Sequence, residues 1–138
     1  MGFANAMVAG MLQSPAHGLL SGSTALVRYT GRRSGRQVTT PVQYAAIGDG
    51  GDLVILVGRP DTKTWWRNFR HDRALEVLVR RQWQPMVGRA VIGADDPATA
   101  GELLEAYLGR FPKATRALAG DTPEDRVRQA VAVRCRLR

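Results

Sequence analysis

From Thr24 to Thr30 the chain alternates, with Ala25, Val27 and Tyr29 on one face and Leu26, Arg28 and Thr30 on the other. That is the period of a half-buried β-strand. Val38, Thr40, Val42, Tyr44 and Ala46 share a face in the same way, which predicts a second strand ended by the turn signal Gly48-Asp49-Gly50-Gly51. Leu53–Val57 is a continuous apolar run, the mark of a strand buried on both sides, so the three segments form a meander. In Lys63–Arg70 the i,i+4 pairing of Trp65 with Phe69 predicts a short helix, with Trp66 pointing about 100° away. Strands follow at Leu75–Arg80 and Pro85–Gly93. Asp96-Pro97 is a helix start, Asp as N-cap and Pro in the first turn, continued by the stripe Leu103, Leu104, Tyr107 and Leu108. Thr122-Pro123-Glu124-Asp125 starts another helix with an acidic first turn. In Ala130–Arg138, Val131, Val133, Cys135 and Leu137 alternate with Arg134, Arg136 and Arg138, a strand with one buried face.

About six strands, mostly joined antiparallel, with helices at the front, middle and back predict an α+β fold, a small barrel with helical additions. The chain of 138 residues suits one domain over 1–138, its first 21 residues forming an N-terminal helical segment, without repeat or linker.

Charge narrows the partners. The 20 basic residues outnumber 12 acidic ones, for a net charge of +8, and lysine occurs only at 63 and 113. Arginine offers planar, bidentate, permanently charged contacts, which favours anionic ligands, although a GC-rich genome also raises Arg over Lys. The lone Cys135 cannot form an internal disulfide and falls in an apolar alternation, so it reads as core in a protein of the reducing cytoplasm. The apolar amino-terminal stretch has no basic residue before Arg28 and is interrupted by Gln13, Pro15 and His17. It fits neither a secretory signal nor a transmembrane span, leaving an amphipathic helix that covers the fold or touches a membrane surface.

The chemistry-bearing feature is Gly31-Arg32-Arg33-Ser34-Gly35 followed by Arg36, set between two strands. Two glycines bracket two guanidiniums and a hydroxyl, the ingredients of an anion cradle. The plainer alternative is a hairpin turn with solvated arginines. His17 and His71 have no ligand neighbours at metal spacing, and neither a Gly-x-Ser-x-Gly elbow nor a Walker loop occurs, so metal and triad hydrolysis are not expected. His71 beside Asp72 suits a helix end. Nucleic acid is not expected as a partner either, since Tyr29 beside Arg28 is the one aromatic interleaved with the basic residues. Trp83, between Gln82 and Gln84, reads as a turn residue facing solvent or a dimer partner, and Arg134, Arg136 and Arg138 as a solvated face or an extension of a cationic track. A chain without its own acid, base or nucleophile still catalyses if a cofactor carries the reaction.

The run Leu26–Gly35, then Thr39-Thr40-Pro41-Val42 with Tyr44, then Leu53–Val57, then Trp65-Trp66-Arg67-Asn68-Phe69, resembles the deazaflavin-dependent nitroreductase family of the split β-barrel flavin and deazaflavin oxidoreductases. The resemblance covers nearly the whole chain. It implies a six-stranded, mostly antiparallel split β-barrel with flanking helices, and a groove for coenzyme F-420, a deazaflavin with a phosphate and a polyglutamate tail. FMN is the alternative cofactor. Carried over, Arg32, Arg33 and Ser34, with Arg36 beside them, match the phosphate-holding positions; Thr40 and Pro41 match the strand lining the ring. Val57, Gly58 and Arg59 match positions at the ring or tail, Trp66 borders the groove, and Trp65 packs in the core. The implied reaction is hydride transfer from the reduced deazaflavin to a small electron-poor acceptor such as a quinone, enone or nitro compound, with the proton from solvent, Tyr44 or Tyr107. A homodimer accords with split barrels, and a non-catalytic cofactor or lipid carrier is the alternative function. Gly58–Thr62 and Phe111–Ala117 depart from the pattern of nitroreducing members, so the acceptor does not carry over.

Overall fold

The computed structural model describes residues 24–79 and 81–138; the expected helical segment over 1–21 lies outside the described residues. The elements in chain order are β1 (Thr24–Thr30), β2 (Gln37–Gln43), β3 (Ala45–Ile47), β4 (Asp52–Leu56), a 3-10 helix (Trp65–Phe69), β5 (Arg73–Val79) and β6 (Gln82–Ile92). They continue as α1 (Pro97–Arg110), a second 3-10 helix (Pro112–Ala117), α2 (Pro123–Gln129) and β7 (Val131–Leu137).

The strands form one sheet in the order β2-β1-β5-β6-β7-β4-β3, with antiparallel pairing throughout. β2 and β3 occupy its opposite edges, yet only Tyr44 separates them in the chain. One residue spans about 3.8 Å between neighbouring Cα atoms, so the sheet curls until its edges meet at Tyr44. That curl makes the α+β split barrel.

The same residue explains why seven strands form instead of six. Alternation over Val38–Ala46 predicts one strand, and Val38, Val42 and Tyr44 do pack on the main core. At Tyr44 the chain crosses to the other edge; Ala45 and Ile47 then join a second apolar cluster, and Ala46 faces solvent.

The barrel interior holds Val27, Tyr29, Ile55, Phe69, Val77, Met86, Val133 and Cys135. The second cluster lies beneath α1, where Leu103 and Tyr107 cover Val54 and Ala132. β4 is therefore buried on both sides, as its apolar run predicts: Leu53 and Ile55 point into the barrel and Val54 toward the helix. Each such side chain contributes about 1.5–3 kcal/mol through its removal from water. Both predicted helix starts form, with the Asp96 carboxylate accepting from the Thr99 N–H at 3.2 Å and the Thr122 hydroxyl accepting from the Asp125 N–H at 3.1 Å.

Two arginines of the expected solvated carboxyl-terminal face are half-exposed and also paired, while Arg138 is exposed. Arg134 meets Asp52 at 3.3 Å, and Arg136 meets Asp72 at 3.0 Å. Asp72 also takes Arg89 at 3.2 Å, and these guanidiniums, Arg89 first, hold its carboxyl below the usual range. Trp83 lies within β6, not at a turn, and the Arg28 guanidinium covers its ring at 3.9 Å while pairing with Glu76 at 2.9 Å. No helix among the described residues is long and apolar enough to cross a membrane.

Candidate functional site

The Gly31–Gly35 loop is closed by its own hydrogen bonds. The Gly31 N–H donates to the Arg36 carbonyl at 2.8 Å, the Gly35 N–H to the Gly31 carbonyl at 3.0 Å, and the Arg36 N–H to Ser34 Oγ at 3.1 Å. Both ends of the loop need glycine. Gly35 has φ +68, and a Cβ on Gly31 would sit 2.7 Å from Ser34 Oγ. These bonds leave the N–H groups of Arg33 and Ser34 without partners among the described residues. Ser34 Oγ already accepts, so its hydrogen is free to be donated.

The 3-10 helix supplies the opposite wall. Asn68 ties the two together, because its Oδ1 accepts from the Arg32 N–H at 2.8 Å and its Nδ2 donates to the Trp65 carbonyl at 2.7 Å. Between loop and helix lies a cavity of about 320 Å³, lined by Tyr29, Arg32, Arg33, Ser34, Trp65 and Arg67 among others. Arg67 Nε is buried within this wall and has no hydrogen-bond partner among the described residues. A buried donor left in that state costs about 1–3 kcal/mol.

Trp65 also borders a second cavity of about 500 Å³. Its walls are Thr40–Gln43 of β2, Ile55 and Leu56 at the end of β4 with the following Val57 and Gly58, and Tyr107, Ala114 and Ala117 from the helical side. β3 pairs with β4 only as far as Val54, so the residues after it have no strand partner on that side. This is the split of the barrel. Pro41 suits its other lip, an edge strand where the missing N–H leaves no ladder bond unmade. The two cavities adjoin at Trp65, one rich in guanidiniums and the other walled largely by apolar residues, with Lys63 on its rim. A third cavity of about 320 Å³ continues the cationic end past Arg32 and Arg67 to Arg70, His71 and Arg73.

The structure gathers Arg32, Arg33 and Ser34 at the cationic end, and Thr40, Pro41, Val57 and Gly58 at the apolar end. Arg36 lines neither; its backbone closes the loop and its residue is exposed. Arg59, in the left-handed region at φ +51, lines an adjoining cavity with Asp61 and Arg126. Trp65 packs against the barrel core as expected, yet it also lines both cavities, which Trp66 does not. Trp66 is 6% exposed and borders none of these cavities, its indole N–H donating to the Pro60 carbonyl at 2.9 Å and its ring carrying the Arg67 and Arg70 guanidiniums. Trp65 meets Phe69 edge-on at 6.2 Å, the pairing that its i,i+4 spacing predicts. Tyr44 packs in the barrel and borders a separate cavity at its other side, with Leu53, Met86 and Leu137. Tyr107 lines the apolar end, and burial raises its hydroxyl above the ordinary tyrosine range. Asn68, Trp65, Arg67, Arg70 and Arg73 are among the lining or bracing residues that sequence reasoning left out of the site; Asn68 had a signal in the Trp-x-Asn segment.

The family described as F420H(2)-dependent quinone reductase matches residues 7–116. The chain belongs to that family. No curated protein matches it. Among solved structures, one described as a domain-swapped dimer is similar at TM-score 0.55 and 16% identity, over 94% of each chain. The FAD and heme binding protein from Mycobacterium smegmatis is similar at TM-score 0.54 and 19% identity, over 91% of this chain and 67% of its own. An F420-H2 dependent reductase (FDR-A) is similar at TM-score 0.51 and 17% identity, over 80% of this chain and 92% of its own. At these identities the likenesses carry the split-barrel fold.

Coenzyme F420 is the cofactor of the F420H2-dependent quinone reductase family, and the residues present fit it. Arg32, Arg33, Ser34 and Arg67 line one cavity, the donor-rich chemistry a phosphate requires. Flat, apolar walls from Pro41, Val57 and Trp65 face the next, the chemistry a ring system requires.

Proposed function

We propose that this protein is an F420H2-dependent reductase that acts on a small electron-poor carbonyl acceptor of the quinone or enone type. The observation that carries the reading is the pair of cavities that adjoin at Trp65, with cationic donors around one and largely apolar walls around the other. Bound reduced coenzyme supplies the hydride. Arg32, Arg33 and Ser34 hold its phosphate, Arg70 and Arg73 attract its anionic tail, and Thr40, Pro41, Val57 and Gly58 flank its ring. The chain's part is binding, orientation and exclusion of water. Reduction of a carbonyl acceptor needs a proton as well as a hydride. Tyr107 is the candidate donor, since its hydroxyl stays protonated well above neutrality and its residue lines the apolar end. A second copy of the chain belongs to the proposal, supported by the fold relative described as a dimer.

The test is a fluorescence titration with coenzyme F420 and with FMN, on the parent and on the Arg32→Ala/Arg33→Ala double variant, followed by quinone-dependent oxidation of F420H2. Binding of F420 that the double variant weakens by at least about tenfold, with turnover in the parent, is the expected result. Preference for FMN, or binding without turnover, overturns the reductase assignment; equal binding by both proteins overturns the cradle.

A further inference from the structure

A further cavity of about 410 Å³ adjoins the apolar one at Val57 and Ala117 and shares no lining residue with the cradle cavity. Val57 is buried and anchored, its N–H donating to the Val131 carbonyl at 2.9 Å, and Ala117 brings only a methyl group to the junction. A volume of this size is itself within the range of a small-molecule pocket.

Its lining is charged in an uneven way. Arg59 enters from the loop after β4 and Arg126 from α2, against one carboxylate, Asp61. None of the three has an ion pair among the described residues, whereas Arg28, Arg89, Arg134 and Arg136 each have one. Two positive charges face one negative charge, so a single anionic group is what the lining lacks.

Both arginines are held by their backbones. Arg59 has φ +51, a conformation that costs a non-glycine residue about 1–2 kcal/mol. The Thr62 N–H and hydroxyl both donate to its carbonyl, at 3.0 and 2.9 Å, and the Trp66 indole N–H fixes the next carbonyl, that of Pro60. A glycine would adopt this turn without strain, yet the position carries a guanidinium. On the other wall α2 is gripped by two glycines. A Cβ on Gly93 would collide with the Val127 carbonyl, and one on Gly120 would lie 2.8 Å from the Arg126 nitrogen.

We propose that this cavity is a second subsite for the acceptor, in which Arg59 and Arg126 take a carboxylate substituent of the quinone or enone whose ring is reduced in the apolar cavity. The inference rests on the reductase reading above and names the acceptor class within it. A guanidinium fork matches a carboxylate, and binding energy gained away from the reacting atoms orients the ring. No chemical step is added.

The test pairs two acceptors with the same ring: a naphthoquinone bearing a short carboxylate-ended side chain, and the methyl ester of that compound. Both are reduced with F420H2, and both are titrated into protein carrying oxidised F420. The parent is expected to favour the acid by at least about tenfold in kcat/KM and in affinity. Arg126→Gln and Arg59→Asn, the latter suited to a left-handed backbone, are each expected to cut that preference by about fivefold or more. Asp61→Asn, which removes the opposing charge, is expected to raise it. A parent that treats acid and ester alike, or a preference that persists in both arginine variants, overturns the proposal. So does a preference lost only in Lys63→Met, which places the carboxylate at the rim of the apolar cavity, or a loss of F420 affinity in the arginine variants, which assigns them to the coenzyme. A parent that reduces neither quinone with F420H2 refutes the reductase reading and this proposal with it, whereas one that reduces both equally well refutes only the subsite.

Discussion

Asn68 accepts the backbone N–H of Arg32 at 2.8 Å, across 36 positions of sequence, and so couples the Gly31–Gly35 loop to the 3-10 helix that forms the other wall of the cavity. Asn68→Ala removes that bond and the one to the Trp65 carbonyl. Affinity for coenzyme F420 is expected to fall by a few-fold to about tenfold, in line with about 1 kcal/mol for a hydrogen bond. Asn68→Asp is expected to fall further, because it also places a negative charge beside the phosphate cradle. Titration of both variants separates the two effects.

Gly31→Ala is expected to weaken coenzyme binding, because the new Cβ would displace Ser34 Oγ from 2.7 Å and with it the bond to the Arg36 N–H. Gly109→Ala is the control. Its Cβ meets nothing within 4 Å, and an alanine there favours α1 by up to about 1 kcal/mol. Its expected signature is a raised Tm with unchanged binding.

Asp72 is the carboxylate that lines the cationic cavity beside Arg32, Arg67, Arg70 and Arg73. Asp72→Asn removes its ion pairs with Arg89 and Arg136, which are exposed and screened, so Tm is expected to change little. The positive potential along the groove rises. Tighter binding of the tailed coenzyme, most evident at low salt, is the expected outcome of a titration at two ionic strengths.

Tyr107→Phe keeps the packing beneath α1 and removes the hydroxyl. Turnover with a quinone is expected to fall while coenzyme affinity stays unchanged. Burial raises the Tyr107 hydroxyl above its ordinary value, so the donor remains protonated at and above neutrality. The ratio of parent to variant turnover should therefore be flat from about pH 7 to 9. A ratio that falls within that window, or unchanged turnover, removes Tyr107 as the proton donor.

Cys135 is fully buried, and burial, with Asp52 as the smaller cause, pushes its thiol from 9.0 up to about 12. Below pH 9 the thiol is neutral in both folded and unfolded chains. Above it the unfolded chain ionises first, so stability falls as pH rises, on the order of 1.4 kcal/mol per pH unit until the folded thiol ionises near 12. Urea unfolding at pH 8 and pH 10.5 checks the slope. Cys135→Ala is expected to be less stable at pH 8 and to show a shallower alkaline decline, with a residual slope because Tyr29 and Tyr107 are raised in the same direction.

Much of the fold was legible because local rules agreed with the tertiary outcome. The β1 alternation, the doubly buried β4 run and the caps at Asp96 and Thr122 each express a preference that packing reinforces. Tyr44 was not legible as a crossing point. Its alternation with Val42 is intact, and only the strand order shows that the chain changes edges there. Nor was Trp66 legible as a buried residue: the bond from its indole N–H to the Pro60 carbonyl fixes it, a loop contact that helical spacing does not predict.

The sequence by itself determined the glycine-bracketed loop with its guanidiniums, a property of residue type and near spacing, and the resemblance to a deazaflavin family, through which Pro41 and Val57 were matched to the ring. The tertiary structure alone decided that Asn68 braces the loop, that Trp65 and not Trp66 stands where the two cavities adjoin, and that Arg134 and Arg136 are occupied with Asp52 and Asp72. Such pairings depend on which distant strands and turns become neighbours, and that follows from a sheet curling until β2 and β3 meet at one residue.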